Sequence, residues 1–352
     1  MITLPSDGGL PAPHQAADTP AEPPLALIVG PAGADDNNGN WRTARRWADL
    51  LEPDWRTRLL SGGADAPIGK SGIETGHARV LIALHARRSA AAIRGWSDAK
   101  RGPLIVVLTG TDLYHDIHHD AEAHDSLVRA TRLVVLNEQG VNDLPAAFRA
   151  KARCILQSCP GTAPRHRSPR RLRLLMVGHL RTEKAPDTFF ALARRLGGRQ
   201  ALQLIQIGKA LDPALGVAAH ALARQEPRYR YLGARSHAET LQRLRTAHVL
   251  VHPSRMEGGA HVVLEAVRHG TPVLASRIPG NVGMLGEDYA GYFPVGDADA
   301  LLALIDRCRA TQGAPDGFLA HLSAQCAARS PLFDPARERA SLLELLDDCT
   351  KP

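Results

Sequence analysis

Short runs of Val, Ile and Leu recur along the chain, and segments long enough to form a helix separate most of them. A run that is apolar at nearly every position is typical of a strand buried on both faces of a sheet. After the first run, Ala44, Ala48 and Leu51 fall on one stripe of a helix predicted over residues 40–51. The alternation predicts a parallel sheet covered by helices. The first five runs are residues 25–30, 78–84, 103–110, 132–137 and 153–158.

The same alternation restarts after residues 161–171, which are rich in Pro and Arg and are predicted to be a linker. The later strands are predicted at residues 172–180, 201–208, 229–233, 248–254 and 272–276. Helices are predicted at residues 186–197, 212–225, 236–246, 260–269, 297–310, 314–328 and 334–349. Ligands of open α/β sheets bind at the carboxyl ends of the strands, so the cleft between two such domains is the expected site.

The pattern divides the chain into two Rossmann-like domains, residues 25–160 and residues 172–330. A length of 352 residues suits two domains of about 150 residues each. Residues 1–24 contain six Pro and lack a basic start followed by an apolar stretch. We therefore expect them to form a disordered tail and not a signal peptide. The sequence contains no run of about 18 apolar residues, so no membrane span is predicted.

The formal net charge of +7 adds an expectation about partners, because only six of the 43 basic residues are Lys. Arg presents a planar fork that matches phosphate, which favours an anionic partner over a merely solvated surface. No nucleic-acid-binding motif accompanies the charge, so a phosphorylated small molecule is favoured over nucleic acid. Five Cys without C-x-x-C spacing indicate reduced thiols in a cytoplasmic protein.

The strongest local signal for chemistry lies in residues 254–276. A predicted strand ends there, a loop with Glu257, Gly258 and Gly259 follows, and the next helix carries Glu265. Paired glycines let backbone approach a ligand, and the free N–H groups of a helix N-terminus suit a phosphate. Carboxylates beside an anion should instead accept hydrogen bonds from hydroxyl groups, such as those of a sugar and a ribose flanking a diphosphate. The alternatives are a first-turn cap for Glu257 and an exposed helix position for Glu265.

Basic and polar side chains follow the predicted strands of the first domain. Arg87 and Arg88 precede a helix, where a cation opposes the helix dipole and suggests an anion nearby. The alternative is a pair of ordinary surface residues. We expect this domain to bind an anionic acceptor. The candidate acceptor-binding residues are Asn40, Arg42, His85, Arg87, Arg88, Thr109, Thr111 and Asp112.

The segment HDIHHDAEAH, residues 115–124, raises the question of a metal. His115 and His119 are one helical turn apart, but the H-E-x-x-H motif is absent and the Asp and His residues share no single face. We therefore expect neither a metal nor a cofactor. No G-x-G-x-x-G follows the first strand, which argues against a nicotinamide dehydrogenase.

The spacing E-x7-E from Glu257 to Glu265, followed by AVRHGTPVLAS, resembles the donor signature of glycosyltransferase family 4, a group of retaining enzymes with the two-domain GT-B fold. The resemblance implies that Glu257 meets the donor hexose and that Glu265 meets the ribose of the nucleotide. The segment GHLRTEK, residues 178–184, is similar to the second signature of this family. It implies that Lys184 binds the diphosphate.

Two positions depart from the family pattern. His179 stands where a basic residue usually follows the Gly, so Lys184 must carry more of the phosphate charge, with Arg181 or Arg255 as candidate helpers. Gly259 stands in place of a frequent aromatic residue.

The resemblance also implies that residues 331–352 form a helix that returns to the first domain. The donor-binding residues are then Gly178, His179, Arg181, Lys184, Arg255, Glu257, Gly258, Gly259, Ala260, His261 and Glu265, with Lys184 and Glu257 catalytic.

Longer segments, among them GNWRTARRWADLL, LTGTDLYHD and SRMEGGAHVVLEA, are similar to the selenosugar synthases of selenoneine biosynthesis over about residues 25–345. Members of this group join selenophosphate to the anomeric carbon of a UDP-sugar and give a 1-selenosugar and UDP. The resemblance implies UDP-GlcNAc or UDP-glucose as donor, no metal requirement, and a functional link to selenophosphate synthetase and the selenoneine synthase.

Two other functions stay open from the residues alone. A conventional family 4 transferase would move a hexose onto an alcohol or lipid carrier, although no Trp- and Phe-rich amphipathic helix marks a membrane face. A nucleotide-sugar or nucleic-acid binding protein would bind such ligands without releasing UDP, and nucleic-acid binding would depend on salt.

Overall fold

The computed structural model describes residues 22–31, 39–61 and 77–351. It confirms the predicted fold class, because these residues form two parallel six-stranded sheets packed with helices. Alternate residues of the first strand belong to opposite hydrophobic clusters, with Leu27 and Val29 in one and Ala26 and Ile28 in the other. The strands are thus buried on both faces, which explains their nearly continuous apolar sequence.

The first domain carries a sheet with the order β2-β1-β3-β4-β5-β6. Its strands are β1 (Leu25–Gly30), β2 (Arg56–Ser61), β3 (Ala78–Leu84), β4 (Leu104–Leu108), β5 (Arg132–Val135) and β6 (Ala152–Cys154). Its helices are α1 (Gly39–Leu51), α2 (Ala90–Asp98), α3 (Ile117–His119), α4 (Ala121–Arg129) and α5 (Ala146–Arg149), with a π-helical turn over Asp112–Asp116.

The second domain carries a sheet with the order β12-β11-β10-β7-β8-β9, the doubly wound Rossmann order. Its strands are β7 (Leu172–Val177), β8 (Leu202–Ile207), β9 (Tyr229–Tyr231), β10 (Val249–His252), β11 (Val273–Ser276) and β12 (Tyr292–Phe293). The helices of this half are α6 (Pro186–Arg194), α7 (Pro213–Gln225), α8 (His237–Thr246), α9 (His261–Arg268), α10 (Pro279–Leu285), α11 (Ala298–Ala310), α12 (Phe318–Arg329) and α13 (Pro335–Thr350). The strand order reverses between β7 and β10, so the loops after these two strands border the crevice in which such sheets bind ligands.

The hydrophobic pattern does not predict β2, an edge strand. Of its six residues only Leu60 is buried, and it pairs with β1 on one side. An edge strand with polar positions facing solvent lacks the apolar run that marks the central strands. The run predicted at residues 153–158 is also shorter in the structure, because β6 ends at Cys154 and the chain then crosses to the second domain.

The last helix, α13, lies against the first domain. Leu342, Leu345 and Leu346 are buried in the same cluster as Ala26 and Ile28 of β1. The chain therefore starts in the first domain, builds the second, and ends on the first. This path ties the two domains together at both crossings.

Parts of the expected tail and linker make contacts with the domains that the sequence does not predict. Residues 22–24 run beside β2, where the backbone N–H of Arg56 donates to Pro24 O at 2.9 Å. The rest of the expected tail, residues 1–21, lies outside the described residues. Within the linker, Arg167 donates to Gly270 O and to the hydroxyl of Thr271, each at 2.9 Å. The linker is therefore attached to the second domain.

Candidate functional site

Two loops of the second domain meet at the carboxyl edge of its sheet. One follows β7 and ends in a 3-10 turn over Thr182–Lys184, and the other follows β10 and contains Glu257. Lys184 Nζ lies 2.5 Å from Glu257 Oε1, with the two side chains 18% and 9% exposed. The structure thus brings together, as a mostly buried ion pair, the two residues that the sequence names as catalytic.

Glu257 has a second basic neighbour. His252 Nε2, at the end of β10, lies 3.3 Å from the same oxygen, Glu257 Oε1. Burial raises the pKa of Glu257, but Lys184 and His252 outweigh it and hold the pKa well below its ordinary value. The carboxylate is ionised, and because both basic groups approach Oε1, the other oxygen keeps its capacity to accept from a ligand hydroxyl.

Glu265 is held in the same way. Its Oε1 accepts from Arg42 at 2.9 Å and lies 2.8 Å from His237 Nε2, and its side chain is 5% exposed. Burial raises the pKa of Glu265, but His237 and Arg42 outweigh it and lower the pKa. Arg42 belongs to α1, so this ion pair crosses from the first domain to the second. We expected Arg42 to bind the acceptor and Glu265 to bind the ribose of the nucleotide. In the structure the two side chains bind each other.

Gly258 and Gly259 face the first domain. A Cβ on Gly258 would lie 2.3 Å from the carbonyl oxygen of Thr109, and one on Gly259 would lie 2.8 Å from the Cβ of Leu136. Asn137 Nδ2 donates to Gly258 O at 2.6 Å. The paired glycines therefore admit a close approach of the other domain, where the sequence had suggested room for a ligand.

The helix α9 begins between these groups. Its N-cap residue, Ala260, has no polar side-chain atom, so no side chain caps the first turn. The ring of His261 lies 3.3 Å from Thr43 Oγ1 and 3.5 Å from an Arg46 nitrogen. Burial and then Arg46 lower the pKa of His261 well below its ordinary value, so the ring is neutral. An uncapped helix N-terminus with neighbouring cations is suited to an anion.

The helpers expected for Lys184 are not free in this arrangement. Partial burial, followed by Arg181, lowers the pKa of His179, and its Nδ1 accepts the backbone N–H of Lys209 at 3.1 Å. Arg181 lies 3.7 Å from Glu183. Arg255 pairs with Asp187 at 2.6 Å. These side chains have other partners, and the cation that contacts Glu257 is Lys184.

Asp112, expected at the acceptor, supports two loops. Its Oδ1 accepts the backbone N–H groups of Thr109 and Gly110 at 2.8 and 2.9 Å, and its Oδ2 accepts that of Ala86 at 2.9 Å. The side chain is fully buried. Asp112 therefore fixes the loops after β3 and β4, and Thr111, which precedes it, is half-buried at the start of the π-helical turn.

His85 and Arg87 in the loop after β3 lie beside carboxylates of the π-helical turn that follows β4. Arg87 Nε lies 3.0 Å from Asp116 Oδ2. The buried ring of His85 lies 3.9 Å from each of Asp112 and Asp116. The anion expected near Arg87 is thus the carboxylate of Asp116, a residue of the protein itself. Arg88 is exposed, and Asn40 is half-buried at the start of α1.

The His-rich segment makes local contacts. His115 Nδ1 lies 3.1 Å from Asp116 Oδ1, and the rings of His115 and His119 are 5.0 Å apart. Within residues 22–31, 39–61 and 77–351, no three or more His, Cys, Asp or Glu side chains are grouped to hold a metal ion. In the same ranges, no helix combines the length and apolar character needed to cross a membrane.

A cleft of about 260 Å³, open to solvent, lies beside Glu257. Tyr114 of the first domain forms one wall, and its hydroxyl accepts from Asn137 Nδ2 at 3.0 Å. A small molecule here would contact both domains and Glu257. The lining residues from the second domain are Arg255, Met256, Glu257, Ile278, Pro279 and Gly280.

Sequence reasoning missed four residues that hold this site: Arg46, Asn137, His237 and His252. The spacing of Arg42 and Arg46 by four places both on one face of α1, so that signal was available. His252 likewise lies near the carboxyl end of the strand predicted at residues 248–254. The contacts of His237 and Asn137 join segments far apart in the chain and leave no local signal.

Solved structures share this architecture. Sucrose-phosphate synthase from Thermosynechococcus elongatus superposes with a TM-score of 0.70 at 17% identity, over 93% of this chain and 98% of that chain. HepE of Anabaena in complex with UDP-glucose gives a TM-score of 0.72 at 16% identity, over 92% and 99%. A glycosyltransferase from Rickettsia africae gives 0.69 at 12% identity, over 94% and 99%. The protein has the GT-B fold.

The second domain of this GT-B protein also matches a sequence family. Residues 164–313 match the family model described as glycosyl transferases group 1. That range contains Lys184, Glu257 and Glu265, the residues that meet at the carboxyl edge of the second sheet. No curated protein matches the chain.

Proposed function

We propose that the protein is a glycosyltransferase whose second domain binds a UDP-sugar. The observation that carries this proposal is the arrangement of Glu257, Glu265 and Lys184 around the uncapped start of α9. Two ionised carboxylates on either side of a site for an anion match a ligand with a diphosphate between two hydroxyl-bearing rings. The family match over residues 164–313 supports the same reading.

In this proposal each group has a distinct task. The N–H groups at the start of α9 would bind the diphosphate, Glu265 would accept from a ribose hydroxyl, and Glu257 from a hydroxyl of the hexose. Lys184 would turn from Glu257 toward the diphosphate, because the negative charge grows there as the bond to the sugar breaks. Fixed positive groups at a departing oxyanion are among the largest contributions to catalysis.

We further propose that the acceptor is selenophosphate, on the strength of the segments similar to selenosugar synthases. Selenium is a soft nucleophile that is largely deprotonated in this anion, so the transfer needs less help from a general base than a sugar hydroxyl does. In the reaction, a selenium lone pair forms the bond to the anomeric carbon. The bond from that carbon to the diphosphate oxygen breaks, and its electron pair leaves with UDP. The immediate product is a glycosyl selenophosphate, and water must then cleave its Se–P bond to give the 1-selenosugar and inorganic phosphate. The UDP-sugar is UDP-GlcNAc or UDP-glucose.

The test is UDP release, measured with UDP-GlcNAc and UDP-glucose, each with selenophosphate, with inorganic phosphate and with no acceptor. We expect release that depends on selenophosphate and survives EDTA. A matched control is Lys184→Ala, which should release little UDP under the same conditions. Release that requires an alcohol or lipid acceptor instead would support a conventional transferase and reject selenophosphate. Binding of UDP-sugars without release under any condition would reject enzymatic transfer.

A further inference from the structure

Arg46 on α1 is held in a fixed orientation by a buried carboxylate of the last helix. Its Nε and one terminal nitrogen bind the two oxygens of Glu338 at 2.8 and 3.0 Å, a bidentate fork. Glu338 is fully buried, with a side-chain exposure of 0%. A planar guanidinium bound through two parallel hydrogen bonds has little freedom to rotate.

Further donors fix Glu338 itself. Trp47 Nε1 donates to Oε1 at 2.7 Å, and the backbone N–H and hydroxyl of Ser158 donate to Oε2 at 2.8 and 2.5 Å. These partners come from α1 and from the crossing between the domains. The carboxylate is therefore satisfied by neutral groups as well as by Arg46, and the whole arrangement is rigid.

The remaining terminal nitrogen of Arg46 points to the donor site. This nitrogen lies 3.5 Å from both ring nitrogens of His261, the first residue of α9. Burial lowers the pKa of His261, and the charges of Arg46, Arg42 and Lys184 lower it further. The Arg46 side chain is 18% exposed, so it is not sealed off from solvent.

The second domain by itself offers a single well-placed cation to a diphosphate. Lys184 is that cation, whereas His179 is neutral and hydrogen-bonded to the Lys209 backbone. Arg181 lies near Glu183 of its own loop, and Arg255 pairs with Asp187 of α6. A diphosphate at the start of α9 carries at least two negative charges, so a second cation would stabilise it considerably.

We propose that Arg46, oriented by Glu338, supplies this second cation from the first domain and binds the diphosphate of the donor together with Lys184. The proposal rests on the proposed function, since it concerns the same donor. Arg46 would supply the positive charge that the family pattern has after the Gly, where this chain has the neutral His179. This role also makes diphosphate binding depend on both domains, because Arg46 belongs to α1 of the first domain and α9 belongs to the second.

Calorimetric titration with UDP and with uridine tests the proposal. Uridine lacks the diphosphate and should bind the wild type and an Arg46 variant equally. Arg46→Gln should weaken UDP binding about ten- to a hundredfold, the loss expected for a hydrogen bond to a charged group. Arg46→Lys should lie between, because it keeps the charge and loses the fork. The control is Arg45→Gln, whose side chain is 64% exposed and pairs with Asp49 within α1.

A second variant guards against misfolding. Arg46→Gln leaves Glu338 buried without its ion pair, so the double variant Arg46→Gln with Glu338→Gln removes both charges and keeps an acceptor for Trp47. It should also bind uridine normally and UDP weakly. Unchanged UDP binding in both Arg46 variants would overturn the role of Arg46, as would an equal loss of uridine binding or a change confined to the KM of selenophosphate. If the wild type binds no UDP, the proposed function itself fails.

Discussion

Lys184 and Glu257 neutralise each other across 2.5 Å at the carboxyl edge of the second sheet. A mostly buried charge is stable only with a partner, so each residue holds the other in the site. A diphosphate would compete with Glu257 for Lys184, and a sugar hydroxyl would compete with Lys184 for Glu257. The ion pair therefore keeps the site ordered and leaves both groups able to exchange partners with a ligand.

Removing Lys184 should affect both stability and turnover. Lys184→Met leaves Glu257 buried without its cation, which should lower the free energy of unfolding by about 3–5 kcal/mol. UDP release should fall about a hundredfold, because the leaving diphosphate loses its charge stabilisation. The double variant Lys184→Met with Glu257→Gln should recover most of the stability and none of the activity. Denaturant titration and UDP release measure the two effects, and wild-type turnover in Lys184→Met would contradict the assignment.

The two carboxylates should differ in which kinetic constant they change. Glu257→Gln should mainly lower kcat, because it contacts the sugar whose bond breaks. Glu265→Gln should mainly raise the KM of the UDP-sugar, because it contacts the ribose, which does not react. Each lost hydrogen bond to a charged group should cost about 1.5–3 kcal/mol. Steady-state kinetics over a range of donor concentrations separates the two, and unchanged kinetics in both variants would remove the donor site from this edge of the sheet.

Acid should destabilise the wild type through Glu257. Lys184 and His252 outweigh burial and hold the pKa of Glu257 well below its ordinary value in the folded protein. The stabilisation is thus complete above the unfolded pKa, near 4.3, and is lost as the pH falls toward the folded pKa. The free energy of unfolding should fall below about pH 5 more steeply in the wild type than in the double variant Lys184→Met with Glu257→Gln. Parallel pH profiles for the two proteins would show that folding does not lower the pKa of Glu257.

Gly258 should tolerate no side chain. A Cβ at this position would lie 2.3 Å from the carbonyl oxygen of Thr109, so Gly258→Ala must push the two domains apart. We expect a loss of about 1–3 kcal/mol in the free energy of unfolding and a lower affinity for UDP. Gly198→Ala is the matched control, because a Cβ there meets nothing within 4 Å. Equal stability of the two variants would mean that the domains do not stay in this contact in solution.

Sequence patterns gave the central strands and the two carboxylates because both signals are local. The strands β1 and β4 are buried on both faces, so each forms an apolar run that can be recognised from its own short stretch of sequence. Glu257 and Glu265 lie eight residues apart on one loop and one helix. Their likeness to a family signature is therefore visible without any knowledge of tertiary contacts.

The partners of these carboxylates could not be predicted in the same way. Arg42 and Glu265 are 223 residues apart, and their contact exists only when the domains face each other. The sequence correctly predicts a helix that contains Arg42. It does not predict that this helix, α1, faces the second domain as well as the expected acceptor. Edge strand β2 was missed for a related reason, since its pairing with β1 leaves one side open to solvent.

The most direct measurement is a crystal structure of the protein with UDP. We expect UDP at the carboxyl edge of the second sheet, with its ribose on Glu265 and its diphosphate at the start of α9. Lys184 Nζ should leave Glu257 and contact the diphosphate. UDP bound at the first sheet, or a diphosphate that leaves the Lys184–Glu257 pair intact and lies away from α9, would show that the donor site is not where we place it.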